Sequence, residues 1–438
     1  MLYHNVRWAF KLPDECSEPI QGGIIAASAV PQHTLERRPF GKFPYLQHRL
    51  FDPQLYLAGL YASRSPRPIR KLSTYGWFPT PDVPPYDSSL HGKQTDWTNT
   101  YQDELLAAWA GHAVSDREGI RAAARAAVEF QVGLECEAII LPSPLTNTMT
   151  EGFDRELEWL DAGLDVCAEL RVHKPVFATI AISDVVLRGG DPQRNALLSL
   201  ITDQVTARPV AGAYIIVEQA SEDGYCCGDE NTLFALLTLV DDFARGANLR
   251  AIVNYVGTFG AVAAAVGAEF WSTGYYLGQR KLRLSEFEIE DEDVRFALPR
   301  YHSLRLAGDV GLQTNLDRII EAGLGGKVLF TTKASAPLHE ALNKGRKVAD
   351  VPTWAHTRSN VSSAAAHYID LAAKLGAFVH RLGPQEKVEA VHRWLTRAVT
   401  MADELRTAGL SSSRHSELSH QRAWLGAYER WMASAGLR

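Results

Sequence analysis

Between residues 136 and 276, short apolar runs alternate with stretches of helical periodicity, and this alternation constrains the fold more than any other feature. The runs are CEAIILPSP (136–144), PVFATIAIS (175–183), GAYIIVEQ (212–219), RAIVNYVG (250–257) and AEFWSTGYY (268–276). They are rich in β-branched residues and do not alternate with polar ones. A strand wetted on one face must alternate, so these strands are covered on both faces, as in a parallel sheet under helices. The stretches between them, such as FDRELEWLDAGLDVCAELRV and NTLFALLTLVDDFARGA, supply the covering helices.

The same reading extends to both sides. GGIIAASAV (22–30) is expected as a first strand and KLSTYGWF (71–78) as a second. Between them, DPQLYLAGLYAS (52–63) is expected to be a helix with Asp52 as its cap and Pro53 in its first turn. An Ala-rich helical stretch over 100–132 is expected to break near Ser115. The eighth strand is expected at KVLFTTK (327–333), because the helix-like NLDRIIEAGLG precedes it; FALPRYHS (296–303) is the alternative. Eight strands separated by helices close most naturally into a (β/α)8 TIM-like barrel with long βα loops and a C-terminal helical extension. A doubly wound open sheet competes, but no G-x-G-x-x-G follows the first strand. The division expected is a barrel over 1–335 and three helices forming a layer or bundle over 336–438.

In such a barrel the loops that leave the strands build the working face. The connections at 31–51, 78–99 and 275–313 are long, whereas the turns into strands are tight. A buried parallel strand opens only at its carboxyl end, so polar groups gather just past each apolar run. Asp184, Glu218, Asn254 and Ser272 are placed to converge there, with Tyr255 and Tyr275 beside them. Two carboxyls at one mouth can divide acid and base roles, or one can act as a nucleophile. The plainer reading of Asp184 is a helix cap.

The loops interleave cations with rings. One carries Arg37, Arg38 and His48 among Phe40, Phe43 and Tyr45; another carries His91, Lys93 and Trp97; a third has Tyr275, Arg280, Lys281 and Arg283. Guanidinium groups pair with phosphate and aromatic rings stack on bases, so an anionic, ring-bearing ligand fits them; the alternative is that the rings pin the loops and the charges are solvated. Gly257 and Gly260 flank a helix start that could hold a phosphate, or simply make a tight turn. His302 could line the mouth if the seventh loop folds over it.

The charged fraction is 22% and the net charge −6, so no global basic field draws the chain to nucleic acid or anionic membranes. No uncharged apolar segment is long enough to span a bilayer, and the N-terminus does not read as a signal peptide. Five scattered cysteines without C-x-x-C suit free thiols in the cytoplasm. Neither H-E-x-x-H, G-x-S-x-G nor a cysteine–histidine zinc spacing occurs, so neither metal nor cofactor is expected.

These features point to a metal-independent hydrolase or transferase acting on a nucleotide or nucleic acid, with the glycosidic bond as its target. Glu218 and Asp184 would supply acid, base or nucleophile. Asn254, Tyr255, Ser272, Tyr275, Arg280, Arg37, Arg38 and His91 would bind substrate. One alternative is a glycosidase-like barrel acting on carbohydrate. The other is a non-catalytic scaffold docking a protein partner or a second copy through its C-terminal helices, where Trp424, Tyr428 and Trp431 form a stripe.

Overall fold

A computed structural model of the chain describes residues 1–6, 20, 22–37, 48–60, 65–78, 89, 100, 116–148, 153–220, 226–287, 299–355, 357, 361–410 and 419–437. Eight strands form one sheet: β1 (Leu2–Val6), β2 (Gly22–Ala26), β3 (His48–Asp52), β4 (Ile139–Ile140), β5 (Val176–Ser183), β6 (Gly212–Glu218), β7 (Arg250–Asn254) and β8 (Phe270–Thr273). Their order is β3-β2-β1-β8-β7-β6-β5-β4, and every pairing between them is parallel. The seam between the end strands is drawn together where the Glu137 N–H donates to the Arg49 carbonyl at 3.0 Å. The result is a nearly closed (β/α)8 TIM-like barrel with C-terminal helices.

Strand pairing sorts the side chains into two faces. Ile180, Ile182, Ile215, Val217, Val253 and Trp271 point outward into a core shared with the helices. Phe177, Ala181, Tyr214, Ile216, Ile252 and Phe270 point inward and fill the lumen. Each such large side chain removed from water contributes about 1.5–3 kcal/mol. Because both faces are apolar over the middle of each strand, the sequence shows runs rather than alternation.

The floor of the lumen is tightly closed. The Arg250 guanidinium lies 5.2 Å from the Phe177 ring centre and 5.5 Å from that of Phe270, while pairing with Glu269. Gly212 permits this approach, since a Cβ there would sit 2.0 Å from the Arg250 carbonyl oxygen and 2.9 Å from the Phe177 ring.

Four expectations are corrected. The segment 71–78 is not a strand: a helix over Pro66–Leu72 ends there, and Tyr75, Trp77 and Phe78 bury in an aromatic cluster with Phe51 and Phe130. β3 lies instead inside the expected loop 31–51, which also holds a helix over Gln32–Arg37. Asp52 therefore ends a strand rather than capping a helix; among the described residues of the expected helix a 3-10 turn, Leu55–Leu57, follows it, and 61–63 lie outside the described residues. Neither candidate for the eighth strand joins the barrel. Residues 327–333 leave a short helical turn, Gly325–Val328, and run on without pairing. Arg300–Ser303 (β9) pairs antiparallel with Gly308–Gly311 (β10) in a separate hairpin.

The barrel closes through β1, which LYHNV hides by placing His4 and Asn5 in a five-residue strand. Past the expected break near Ser115 stands the helix Arg117–Gly133, capped by Asp116, which accepts from the Gly119 N–H at 2.8 Å.

The C-terminal helices Val361–Arg381, Pro384–Thr407 and His420–Ser434 stand where their periodicity places them. The first lies against the wall made by β1 and β8, where Gly376 brings its backbone close to Leu2 and Trp271. Trp424, Tyr428 and Trp431 are all buried, so that stripe is core within this chain. Among the described residues, no helix is long and apolar enough to cross a membrane.

Candidate active site

Inward-facing polar groups collect at the carboxyl ends of the strands, in two tiers. The lower tier is a continuous hydrogen-bonded layer across the lumen. Asp52, at the end of β3, accepts from the Tyr56 hydroxyl at 2.6 Å and from the Tyr214 hydroxyl at 2.8 Å through one oxygen. Its other oxygen accepts the Gln54 N–H at 3.0 Å. Asn254 donates to the Tyr214 hydroxyl, and the Ser272 hydroxyl bridges the side-chain oxygens of Asn254 and Asn5. Gln54 donates to the Tyr255 hydroxyl at 2.9 Å, and Asn5 exchanges bonds with Gln279.

β1, β3, β6, β7 and β8 each reach this layer with a polar side chain, and an apolar one there would leave these partners unpaired. Asp52 is wholly buried. Burial pushes its carboxyl up to about 6, against the pull of the Tyr56 and Tyr214 hydroxyls, the Gln54 N–H and Asn254.

The upper tier is the rim. Glu218 and Ser183 are paired neighbours on β6 and β5, and the Ser183 hydroxyl donates to the Glu218 carboxyl at 2.6 Å. The segment after β8 crosses this rim. Leu282 forms a parallel bridge with Glu218, and its carbonyl accepts the Gln219 N–H at 2.8 Å. Burial raises the Glu218 carboxyl above the ordinary glutamate range, and the nearby Asp184 raises it further. The Ser183 hydroxyl, the Leu284 N–H and the Arg283 guanidinium pull the other way.

Asp184 opens the helical turn Asp184–Leu187, close enough to Glu218 to act on its charge. One of its oxygens accepts the Ala220 N–H at 3.1 Å and the other lies 3.2 Å from Arg188. It thus braces the backbone just past Glu218, more than the plain cap its position suggests. The two tiers put a carboxyl of raised proton affinity at the rim above a polar floor, the kind of group used in general acid–base chemistry.

The residues singled out in the sequence do not all meet here. Glu218 and Asp184 come together at the rim, and Asn254, Tyr255 and Ser272 join the layer beneath. Tyr275 and Arg280 instead lie behind the wall. Arg280 pairs with Asp309, donates to the Tyr275 carbonyl at 2.8 Å and stacks 3.7 Å from the centre of the Tyr368 ring. Arg37 is exposed on its helix, while Arg38 and His91 lie outside the described residues. His302 also lies behind the wall, 2.8 Å from Asp309.

Gly260 packs against the Trp271 ring, where a Cβ would come within 2.2 Å, so close packing accounts for it. Asn5, Gln54 and Tyr214 carry no sequence signal of a site, and Asp52 reads there only as a helix cap. The one trace of Asp52 is the period-two order of His48, Leu50 and Asp52 within HRLFD. Among the described residues, no three His, Cys, Asp or Glu side chains are grouped to hold a metal. No protein-family model matches the chain, and comparison with curated proteins finds no match.

Proposed function

We propose that this chain is a barrel enzyme, a hydrolase or glycosyl-type transferase, that acts at a glycosidic bond of a nucleotide or nucleic acid. The observation that carries the reading is the Glu218 carboxyl, buried at the rim with its proton affinity raised and one oxygen on Ser183. A carboxyl whose proton affinity is raised is better suited to hand a proton to the departing oxygen or nitrogen of a glycoside. Asp184 positions the 218–220 backbone, and the Asp52 layer holds the lumen below in a fixed shape. Phosphate recognition falls to Arg283 beside Glu218 and to the cationic residues Arg37 and Arg38, because Arg280 is committed to Asp309.

That commitment favours a second reading, a carbohydrate glycoside without phosphate, since it removes one of the cations on which the nucleotide reading rests.

The test is a panel of nucleosides, nucleotides, single-stranded DNA, RNA and aryl glycosides, with release of free base or of aglycone as the readout. Wild type is expected to release base from the phosphate-bearing substrates, and Glu218→Gln to lose that release while melting like wild type. Release from aryl glycosides alone transfers the assignment to carbohydrate. Turnover of none of them, or full activity in Glu218→Gln, overturns the reading.

A further inference from the structure

The rim carboxyl that the proposed function puts to work is closed off. Glu218 is 3% exposed, so a substrate has no route to it in this arrangement. What closes it is the segment 281–287. β7 ends at Asn254, opposite Ile216, and Leu282 then takes the place of β7 beside Glu218 in a parallel bridge. The Leu282 carbonyl accepts the Gln219 N–H at 2.8 Å, a donor that the end of β7 would otherwise leave without a strand to pair with. The Leu284 N–H and the Arg283 guanidinium both act on the Glu218 carboxyl. The Leu282 side chain is wholly buried and joins the lumen cluster of Tyr214, Ile216 and Tyr255, so it stoppers the barrel at its carboxyl end.

The segment is held unequally along its length. Its upstream end is pinned. Arg280 pairs with Asp309 and donates to the Tyr275 carbonyl at 2.8 Å, and Gln279 exchanges bonds with Asn5. Downstream, Leu284–Phe287 is a 3-10 turn without a buried residue, and its Glu286 lies 3.9 Å from Arg283 within the segment itself. Leu284 and Phe287 rest on the lumen cluster only half-buried. The bridge to Glu218 is an isolated one, whereas β6 is paired with β5 along Gly212–Glu218. A segment anchored at one end and joined to the sheet at an isolated bridge opens at lower cost than the sheet it rests on.

We propose that residues 281–287 are a strap, hinged just past Arg280, that closes the mouth in the resting protein and lifts to admit substrate to Glu218. Its catalytic consequence rests on the function proposed above, whereas the motion itself does not. Lifting withdraws Leu282 from the lumen and frees the Gln219 N–H and the β7 side of Glu218. A substrate that fills the vacated place binds the open form alone, and so draws the population toward it. The closed form is the autoinhibited one.

The test is native-state hydrogen exchange on the full chain in low urea, read by mass spectrometry with fragmentation to single residues and corrected for intrinsic rates. The Gln219 amide reports the strap, because its acceptor is the Leu282 carbonyl. The amides of Ile215 and Ile216, within the sheet between β5 and β7, report the barrel. Gln219 is expected to exchange at least about 100-fold faster than Ile215 and Ile216, at a rate that low urea leaves unchanged, as for an opening that exposes little surface. Leu282→Ala is expected to speed Gln219 at least about tenfold further while Ile215 and Ile216 stay within about threefold of wild type. Exchange of all three amides at one rate with one urea dependence makes the segment a fixed part of the wall and overturns the proposal. So does an equal acceleration of all three in Leu282→Ala. No substrate enters this measurement, so it separates the two readings: a fixed segment beside an active Glu218 strikes only the strap, and a lifting segment in a protein that releases no base strikes only the assigned chemistry.

Discussion

Each tier of the lumen holds a buried carboxyl of raised proton affinity, Asp52 below and Glu218 at the rim, and the two are held differently. In the lower tier, Asp52 is enclosed by the Tyr56 and Tyr214 hydroxyls and the Gln54 N–H, and those partners are tied onward to Asn254, Ser272 and Asn5. At the rim, Glu218 has one hydroxyl, the edge of a crossing segment, and a second carboxylate nearby. Both carboxyls are pushed toward holding a proton, chiefly by burial. The lower one is locked into a network whose loss is expected to cost stability; on the proposed function, loss of the upper one, which lies where the strands open, is expected to cost rate. Raised proton affinity alone does not separate a structural carboxyl from a reactive one; the number of partners and the position along the strand do.

That division can be broken most forcefully at the rim. Glu218→Gln is expected to lower kcat by roughly 10²–10⁴-fold, the usual weight of a positioned proton donor, with little change in melting temperature. An equal loss of stability would put Glu218 in the same class as Asp52.

The lower tier is probed by pH. The Asp52 carboxyl titrates near 6 in the folded chain, against an ordinary aspartate in the unfolded one. The folded state therefore binds a proton that the unfolded state releases. The stability this contributes is full below the unfolded value and is lost as the pH rises through about 6. The effect is on the order of 3 kcal/mol between the two limits. Urea unfolding from pH 3.5 to 7.5 should show this slope relative to Asp52→Asn, in which it disappears. Parallel profiles in the two proteins would contradict it.

A smaller effect is expected from Tyr214→Phe, which removes the hydroxyl shared by Asp52 and Asn254. Leaving those groups short of a partner costs about 1–3 kcal/mol in denaturant unfolding, with kcat reduced less than in Glu218→Gln. Ser183→Ala sharpens the contrast at the rim. The Ser183 hydroxyl favours the ionised form of Glu218, so its removal raises the Glu218 carboxyl further. The alkaline limb of the pH–rate profile should move to higher pH, while the rate at neutral pH changes by less than about tenfold.

How much of this was legible in the sequence follows from what each strand had to bury. β5, β6, β7 and β8 carry apolar residues on both faces, so GAYIIVEQ and its fellows announce themselves, and Glu218 is readable as the residue just past the burial. β1 and β3 supply much of the polar layer, and that role erases the apolar run by which a strand is recognised. Asn5 and Asp52 are thus hidden by their own chemistry. The aromatic residues of 71–78 gave the opposite error: Tyr75 and Trp77 look like strand residues but pack beneath the helix Arg117–Gly133, where Phe130 meets them. Arg280 read as a phosphate ligand because Asp309, its partner 29 residues away, cannot be inferred from spacing.

The most direct measurement is a crystal structure with an unreactive nucleotide analogue bound. The account predicts the analogue in the mouth above Asn254 and Ser272, with its glycosidic oxygen or nitrogen within about 3.2 Å of the Glu218 carboxyl. An analogue seated elsewhere, or in the mouth with that atom turned away from Glu218, would contradict it.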